Sequence, residues 1–241
     1  LGADVAFGTD PDCDRVGIAV LDGEGRVHGL TGNQIGCLLL NYILSRRQAQ
    51  GTLPKNAAAV KSIVSTEMAR AICADYGCAM VDVLTGFKFI AEKIEQFETT
   101  GEHTFVFGFE ESCGYLSGRD VRDKDGVNAS MLIAETAAFY KKQGMTLYDG
   151  LQALYKKYGY YDAKVTSFAL AGKDGLAKMA ALMQALRDQA PADFDGVKVT
   201  AVRDYKAGTR RDNQGNVTKL EQPVSNVLYY ELEDGGWICV R

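Results

Sequence analysis

Short apolar runs and helical periodicities alternate along the first two thirds of the chain. D-V-A-F-G (4–8) and R-V-G-I-A-V-L-D (15–22) are too short for helices and predict strands on either side of an acidic loop. G-E-G-R-V-H-G (23–29) predicts a turn running into a brief polar strand edge. From Thr31 the apolar positions 35, 38, 39, 42 and 43 keep helical spacing, with Thr31 or Asn33 as the cap. A buried strand follows at 57–65, and then a capped helix over 65–77 that stops at Gly77. The pattern continues with a strand at 78–84 and a loop turning into a helix over 85–97. A strand over 103–112 runs into a second acidic loop, and helices follow at 125–144 and 146–159.

This alternation predicts a three-layer α/β domain with a mixed, largely parallel sheet. The character changes near Gly159. Alternating residues predict a strand over 160–172, and an amphipathic helix follows at 173–189. Strands are then expected at 197–205, 225–234 and in G-W-I-C-V-R. One helix among antiparallel strands makes an α+β unit, and the boundary is placed at 157–160.

Composition narrows the picture. The 241 residues are 46% apolar and 24% charged, the balance of a soluble globular protein. A net charge of -4 offers no basic field for nucleic acid or an anionic membrane, so neither is expected as a partner. No apolar run approaches the roughly 20 residues of a membrane helix. The first ten residues lack the basic start and cleavage site of a signal peptide. Cys13, Cys37, Cys73, Cys78, Cys113 and Cys239 show no C-x-x-C spacing, which argues against zinc and for a reduced, cytoplasmic setting. The chain opens at Leu1 directly into a strand-like run and ends in another, so a piece of a longer protein is expected.

The chemistry gathers in loops. Asp10, Asp12 and Asp14 stand two residues apart, with Arg15 next. Converging carboxylates repel, and a hard cation such as magnesium relieves them while leaving room for phosphate oxygen. The guanidinium suits the same phosphate. The plain alternative is an acidic surface turn. A calcium EF-hand is excluded, since its sixth and twelfth positions would be Arg15 and Leu21. A phosphatase using Asp10 as nucleophile would leave Asp14 and Arg15 without a role, and stays a distant alternative.

L-T-G-F-K-F (84–89) joins a strand to a helix, where backbone N–H groups bind phosphate or sugar oxygens and Lys88 can assist. G-F-E-E-S-C-G-Y-L-S-G (108–118) offers Glu110, Glu111 and Ser112, acceptors and a donor for vicinal hydroxyls. In R-D-V-R-D-K-D-G-V (119–127), Asp123 or Asp125 can cap the next helix, and Lys124 can reach a cleft as acid/base or phosphate contact. Each reads equally well alone as a turn or solvated face. Together they are expected along the carboxyl edge of one α/β sheet, where such folds bind ligands, and they point to a phosphosugar.

The set G-T-D-P-D-C-D-R-V-G-I-A-V, L-T-G-F-K-F-I, G-F-E-E-S-C-G-Y and R-D-K-D-G-V, in that order and spacing, resembles the α-D-phosphohexomutases, the phosphoglucomutases and phosphomannomutases. The resemblance covers nearly the whole chain. It implies four domains around a cleft and a phosphoserine that exchanges its phosphoryl group with a hexose phosphate. Magnesium and a bisphosphate intermediate, glucose 1,6-bisphosphate for a glucose phosphate, serve as cofactors. It implies Asp10, Asp12 and Asp14 as metal ligands and Arg15 against the transferring phosphate. Thr85 and Gly86, with Lys88, would contact the substrate. Glu110 and Ser112 would bind the 3- and 4-hydroxyls, and Lys124 would be an acid/base group.

By the same resemblance, residues 1–20 end a second domain, 21–158 form the sugar-binding third, and 159–241 are an incomplete fourth. The family's nucleophile loop, T-A-S-H-N-P or similar, is missing, and its last phosphate loop, R-P-S-G-T-E-P, would begin at Arg241. The piece alone is therefore expected to be inactive and to bind metal weakly. Cys13 and Cys113 replace small residues common in these loops. Glucose 1- and 6-phosphate are the expected substrates. Mannose or ribose phosphates in the same family, or a non-catalytic phosphosugar-binding module, are the alternatives, and the oligomeric state is open.

Overall fold

The computed structural model describes residues 2–241, with Lys173 described by its backbone alone; Leu1 lies outside the described residues. The chain divides into two compact units, Leu1–Ala163 and Lys164–Arg241.

The first unit opens with an antiparallel three-stranded sheet, β1 (Val5–Thr9), β2 (Val16–Leu21) and β3 (Val27–Leu30), in that order. Helix α1 (Gly32–Ala49) follows, closed by a capping box in which the Thr31 side chain accepts from the Gln34 N–H and the Gln34 side chain accepts from the Thr31 N–H. Next come β4 (Ala57–Ser62), α2 (Met68–Asp75), β5 (Ala79–Val83), α3 (Phe87–Thr100), β6 (Thr104–Glu110), β7 (Gly114–Leu116), α4 (Gly126–Lys141) and α5 (Leu147–Tyr158). The second sheet has the order β5-β4-β6-β7. β4 pairs parallel with both β5 and β6, and β7 returns antiparallel on β6. This is the mixed, largely parallel sheet the alternating pattern predicts.

The central strand β4 is buried at all six positions, as a strand covered on both faces must be. Ala57 and Ala59 face the core built with α1, α2, α4 and α5, while Ala58 and Val60 face α3 through Phe87, Ile90, Ile94 and Phe97. Helix α1 is apolar nearly all round, with Leu38, Leu39, Leu40 and Leu44 all buried, because it is enclosed on several sides. It crosses β6 closely. A Cβ on Gly36 would sit 2.4 Å from the Phe109 ring.

The second unit packs α6 (Lys173–Asp188) on an antiparallel sheet of β9 (Val197–Asp204), β10 (Thr209–Asp212), β11 (Val217–Lys219), β12 (Leu228–Leu232) and β13 (Trp237–Val240). The order is β11-β10-β9-β12-β13, with β8 (Asp193–Phe194) also on β9. Met183, Leu228 and Tyr230 form its core. Arg203 and Arg210 both grip Glu231 at 2.6 Å. This is the expected α+β unit.

Several expectations change. The strand expected over 160–172 is absent: no strand pairs with it among the described residues, and Tyr160, Val165 and Phe168 stand exposed. The helix expected from Ser65 begins at Met68, because Ser65 is held in a turn by its N–H bond to the Ser62 carbonyl. Strands β7, β8, β10 and β11 were not expected; each has four residues or fewer, below the length at which alternation is legible.

Gly36→Ala should destabilise the first unit by about 1–3 kcal/mol, since the methyl forces the Phe109 ring out of place. Gly29→Ala, which meets nothing within 4 Å, should leave stability nearly unchanged. Urea unfolding followed by helical circular dichroism checks both. The single tryptophan, Trp237, lies in the other unit and would not report on either change.

Candidate functional site

The acidic loop caps the β1–β2 hairpin, whose last pair is Thr9 with Val16. The Cys13 N–H donates to the Asp10 carbonyl at 3.0 Å, closing the turn, and Cys13 takes a left-handed φ of 56°. The Arg15 N–H donates to Asp10 Oδ1 at 3.1 Å and holds that carboxyl below its usual pKa range. One carboxylate oxygen from each of Asp10, Asp12 and Asp14 lies within 4.8 Å of the others. At that separation two carboxylates repel by about 3 kcal/mol at an effective dielectric near 20, so the cluster needs compensating charge.

Part of that charge comes from elsewhere in the chain. Lys124 Nζ lies 2.9 Å from Asp14 Oδ2 and 3.3 Å from Asp123 Oδ1. Its stem runs over Gly114, where a Cβ would sit 2.5 Å from Lys124 Cδ. Burial works against the ammonium, but the hydrogen bonds to Asp14 and Asp123 outweigh it, and the Lys124 pKa is raised. Arg15 Nε is 3.7 Å from Asp14 Oδ1, too far for a hydrogen bond, and that oxygen is buried without a hydrogen-bond partner among the described residues. An orphaned carboxylate oxygen inside a triad of hard oxygen donors fits a divalent cation of the magnesium type.

The acidic loop does not follow a strand of the parallel sheet. It closes a separate antiparallel hairpin and is joined to the second sheet by main chain. Arg15 bridges antiparallel to Gly114, the Val16 N–H donates to the Cys113 carbonyl at 3.2 Å, and the Gly126 N–H donates to the Cys13 carbonyl at 3.2 Å. Gly126 must lack a side chain, since a Cβ would lie 2.5 Å from that carbonyl oxygen. Asp125 is the cap of α4, accepting from the Asn128 N–H at 2.8 Å, while Asp123 turns to Lys124.

Glu110 ends β6, and Glu111, Ser112 and Cys113 form the turn into β7. Glu110 is buried, and a Cβ on Gly114 would stand 3.1 Å from Glu110 Oε1. Glu111 meets Ser62, whose Oγ donates to Glu111 Oε2 at 2.8 Å. The two glutamates therefore serve different neighbours. E-E-S alone does not say which glutamate meets which neighbour, because the pair straddles the end of a strand and the start of a turn. Cys113 follows with a left-handed φ of 65°, and with Cys13 it occupies backbone that favours glycine.

Thr85 and Gly86 sit at the start of α3, with Gly86 as N-cap at φ 121°. Lys88 is exposed and lies over the Phe89 ring, 4.8 Å from its centroid. The tie from this turn to the rest runs through Phe87, whose ring is 5.8 Å from Lys124 Nζ. Sequence reading passed over Phe87 and the separate role of Glu111, and took Asp123 as a possible cap where it in fact pairs with Lys124.

Burial, followed by the charge of Glu111, raises the Glu110 pKa. The native state then holds this proton more tightly than the unfolded chain, so the wild type loses stability as pH rises through the raised value. Glu110→Gln should melt with the wild type below the ordinary carboxylate range and above it at neutral pH. Melting temperatures measured from about pH 3, below the ordinary Glu value, to neutral pH check the sign.

A model of the phosphoglucomutase/phosphomannomutase alpha/beta/alpha domain III matches residues 31–158. The phosphoglucomutase of Staphylococcus epidermidis (strain ATCC 35984) is 37% identical over 242 residues, covering 100% of this chain and 43% of that protein. The phosphoglucomutase of Staphylococcus aureus (strain USA300) is 38% identical over 240 residues, covering 99% and 42%. The chain thus spans less than half the length of these relatives. Among solved structures, the phosphoglucomutase pp63/parafusin of Paramecium shares the fold with a TM-score of 0.62 at 20% identity, over 99% of this chain and 38% of that one. A phosphoglucomutase/phosphomannomutase family protein of Burkholderia thailandensis shares it with a TM-score of 0.54 at 19% identity, over 82% and 36%. Since the family model accounts for more than half of its residues, the chain belongs to the phosphoglucomutase/phosphomannomutase family.

Proposed function

We propose that this chain is the metal- and sugar-binding part of a phosphoglucomutase that interconverts glucose 1-phosphate and glucose 6-phosphate through an enzyme phosphoserine and glucose 1,6-bisphosphate. On this reading 1–20 end a second domain, 21–158 form the third and 159–241 an incomplete fourth, and the serine belongs to another part of the enzyme. The observation that carries it is the joining of the three-aspartate loop to Lys124 and to the Glu110 loop by paired main chain.

Asp10, Asp12 and Asp14 would hold magnesium, which when bound supplies positive charge beside the phosphoryl group in transfer. Arg15, with its side chain about half exposed at 47%, is free to turn from Asp14 to phosphate oxygens. Lys124 keeps its proton in the resting site and so begins as a donor toward the reacting oxygen, not as a base. Glu110 and Ser112 would bind the 3- and 4-hydroxyls of the sugar. Thr85, Gly86 and Lys88 would receive the far side of the hexose phosphate at the start of α3. Orientation and charge neutralisation are what phosphoryl transfer asks of a protein. The cytoplasm is the proposed location, in keeping with six free cysteines; no helix among the described residues is long and apolar enough to cross a membrane.

A mutase assay on the full-length enzyme, with glucose 1-phosphate, magnesium and a trace of glucose 1,6-bisphosphate, tests the reading. Asp12→Ala should lower kcat by at least about a hundredfold, as loss of a charge-stabilising group at a reacting centre does. Turnover of only mannose or ribose phosphates would reassign the substrate, and none at all would leave a phosphosugar-binding module. An adduct of beryllium fluoride on Asp10 would instead reveal an aspartyl phosphatase.

Magnesium calorimetry on the 241-residue chain should show weak binding, since a magnesium shell is completed by substrate phosphate. Gly126→Ala, which pushes on the Cys13 carbonyl, should weaken it further at unchanged helix content. Nanomolar affinity, or an unaffected Gly126→Ala chain, would contradict the assignment of the acidic loop.

A further inference from the structure

The loop that carries Glu110 and Ser112 is supported from behind. Ser62 Oγ, at the carboxyl end of β4, donates to Glu111 Oε2 at 2.8 Å and lies 2.8 Å from Ser65 Oγ. Ser62 and Ser65 are both buried. Beneath them Lys61, with a fully buried side chain, donates to the Ser65 carbonyl at 3.1 Å and to Glu67 Oε1 at 2.9 Å, and pairs with Asp82 Oδ1 at 3.2 Å. Arg70 binds the outer oxygens of the same Glu67 and Asp82. The β4–α2 turn is further pinned by the Thr66 N–H, which donates to Asn33 Oδ1 at 3.0 Å. On its other side the Glu111 backbone lies against the start of α1, where a Cβ on Gly32 would come within 2.2 Å of the Glu111 carbonyl oxygen.

We propose that Glu111 is a positioning residue, latched by Ser62 to a rigid base of Lys61, Ser65, Glu67 and Asp82, and that this latch aims Glu110 and Ser112 at the sugar; this rests on the reading of the 110–112 loop as the sugar-binding loop. Three facts converge on it. Glu111 is bonded to Ser62 at the end of β4 while Glu110 lies beside Gly114, so Glu111 is held by a neighbour outside the proposed sugar contacts. A carboxylate taken partly out of water needs a donor, and Ser62 supplies one. The base cannot drift, because a buried lysine whose ion pairs are broken leaves an uncompensated charge. Without the latch, Glu111 loses its Ser62 donor and the turn that carries its two neighbours loosens. A displacement of about 1 Å is enough to impair a positioned site.

The test pairs kinetics of the full-length enzyme on glucose 1-phosphate with hydrogen–deuterium exchange of residues 108–116 in this chain, for Glu111→Ala, Ser62→Ala, the double variant and Glu111→Gln. The latch predicts a KM about tenfold higher in each single variant with kcat little changed, the loss of one hydrogen bond to a charged group acting on binding. The double variant should be no worse than either single one, because both remove the same interaction. Glu111→Gln, which still accepts from Ser62, should restore most of the affinity. Exchange over 110–114 should quicken in the alanine variants and not in Glu111→Gln. Wild-type KM with a lowered melting temperature alone, or additive losses in the double variant, would overturn the latch. If the wild type turns over no sugar phosphate, the functional reading fails by itself; the latch then stands or falls on exchange, and unchanged exchange at 110–114 overturns it.

Discussion

The site depends on one piece of paired main chain. The turn from Cys13 to Val16 and the turn at Cys113–Gly114 are laid side by side by the Arg15–Gly114 bridge and the bond from the Val16 N–H to the Cys113 carbonyl. The Gly126 N–H ties Cys13 to the start of α4. Backbone bonds in a sheltered place are costly to leave unmade, so these turns are held as firmly as a sheet edge. Everything charged in the neighbourhood is hung on this join. Two cysteines in left-handed backbone and two glycines with no room for a side chain are its local cost.

Charge accounting explains why the join is built where it is. Three carboxylates within 4.8 Å would drive the acidic loop apart. Lys124 answers one, Arg15 stands by, and the main-chain N–H of Arg15 answers another. The sum still falls short, and Asp14 keeps a buried oxygen without a hydrogen-bond partner among the described residues. That shortfall of positive charge is what supports the proposal of a cation here. Burial and the charge of Glu111 oppose the ionisation of Glu110, so this carboxyl costs stability at neutral pH, a cost that the proposed role as acceptor for a sugar hydroxyl would account for.

The chain's own arithmetic made much of this legible. The 2-residue spacing of the aspartates, the E-E-S loop and the lysine in R-D-K-D-G-V stand out because each is a chemical statement made by neighbours in sequence. The element order of the first unit was equally plain, since strands such as β4 and helices such as α1 differ in period and length. Where the pattern misled, a partner was at issue. Residues 160–172 alternate like a strand, yet a strand exists only where another chain segment completes its hydrogen bonds, and none does among the described residues. β7 is only three residues long and exists because β6 offers it an edge.

The sequence by itself therefore determined the layers, the donors and acceptors, and the order in which the loops occur, because those follow from local periodicity and from residue type. Only the tertiary structure decided which loops meet. It set Lys124 on Asp14 across 110 positions of chain, turned Glu110 toward the lysine and Glu111 toward Ser62, and placed Asp125 rather than Asp123 at the head of α4. Those choices come from burial and backbone pairing between distant segments. Their energies depend on what surrounds a group in space, and no spacing along the chain encodes that.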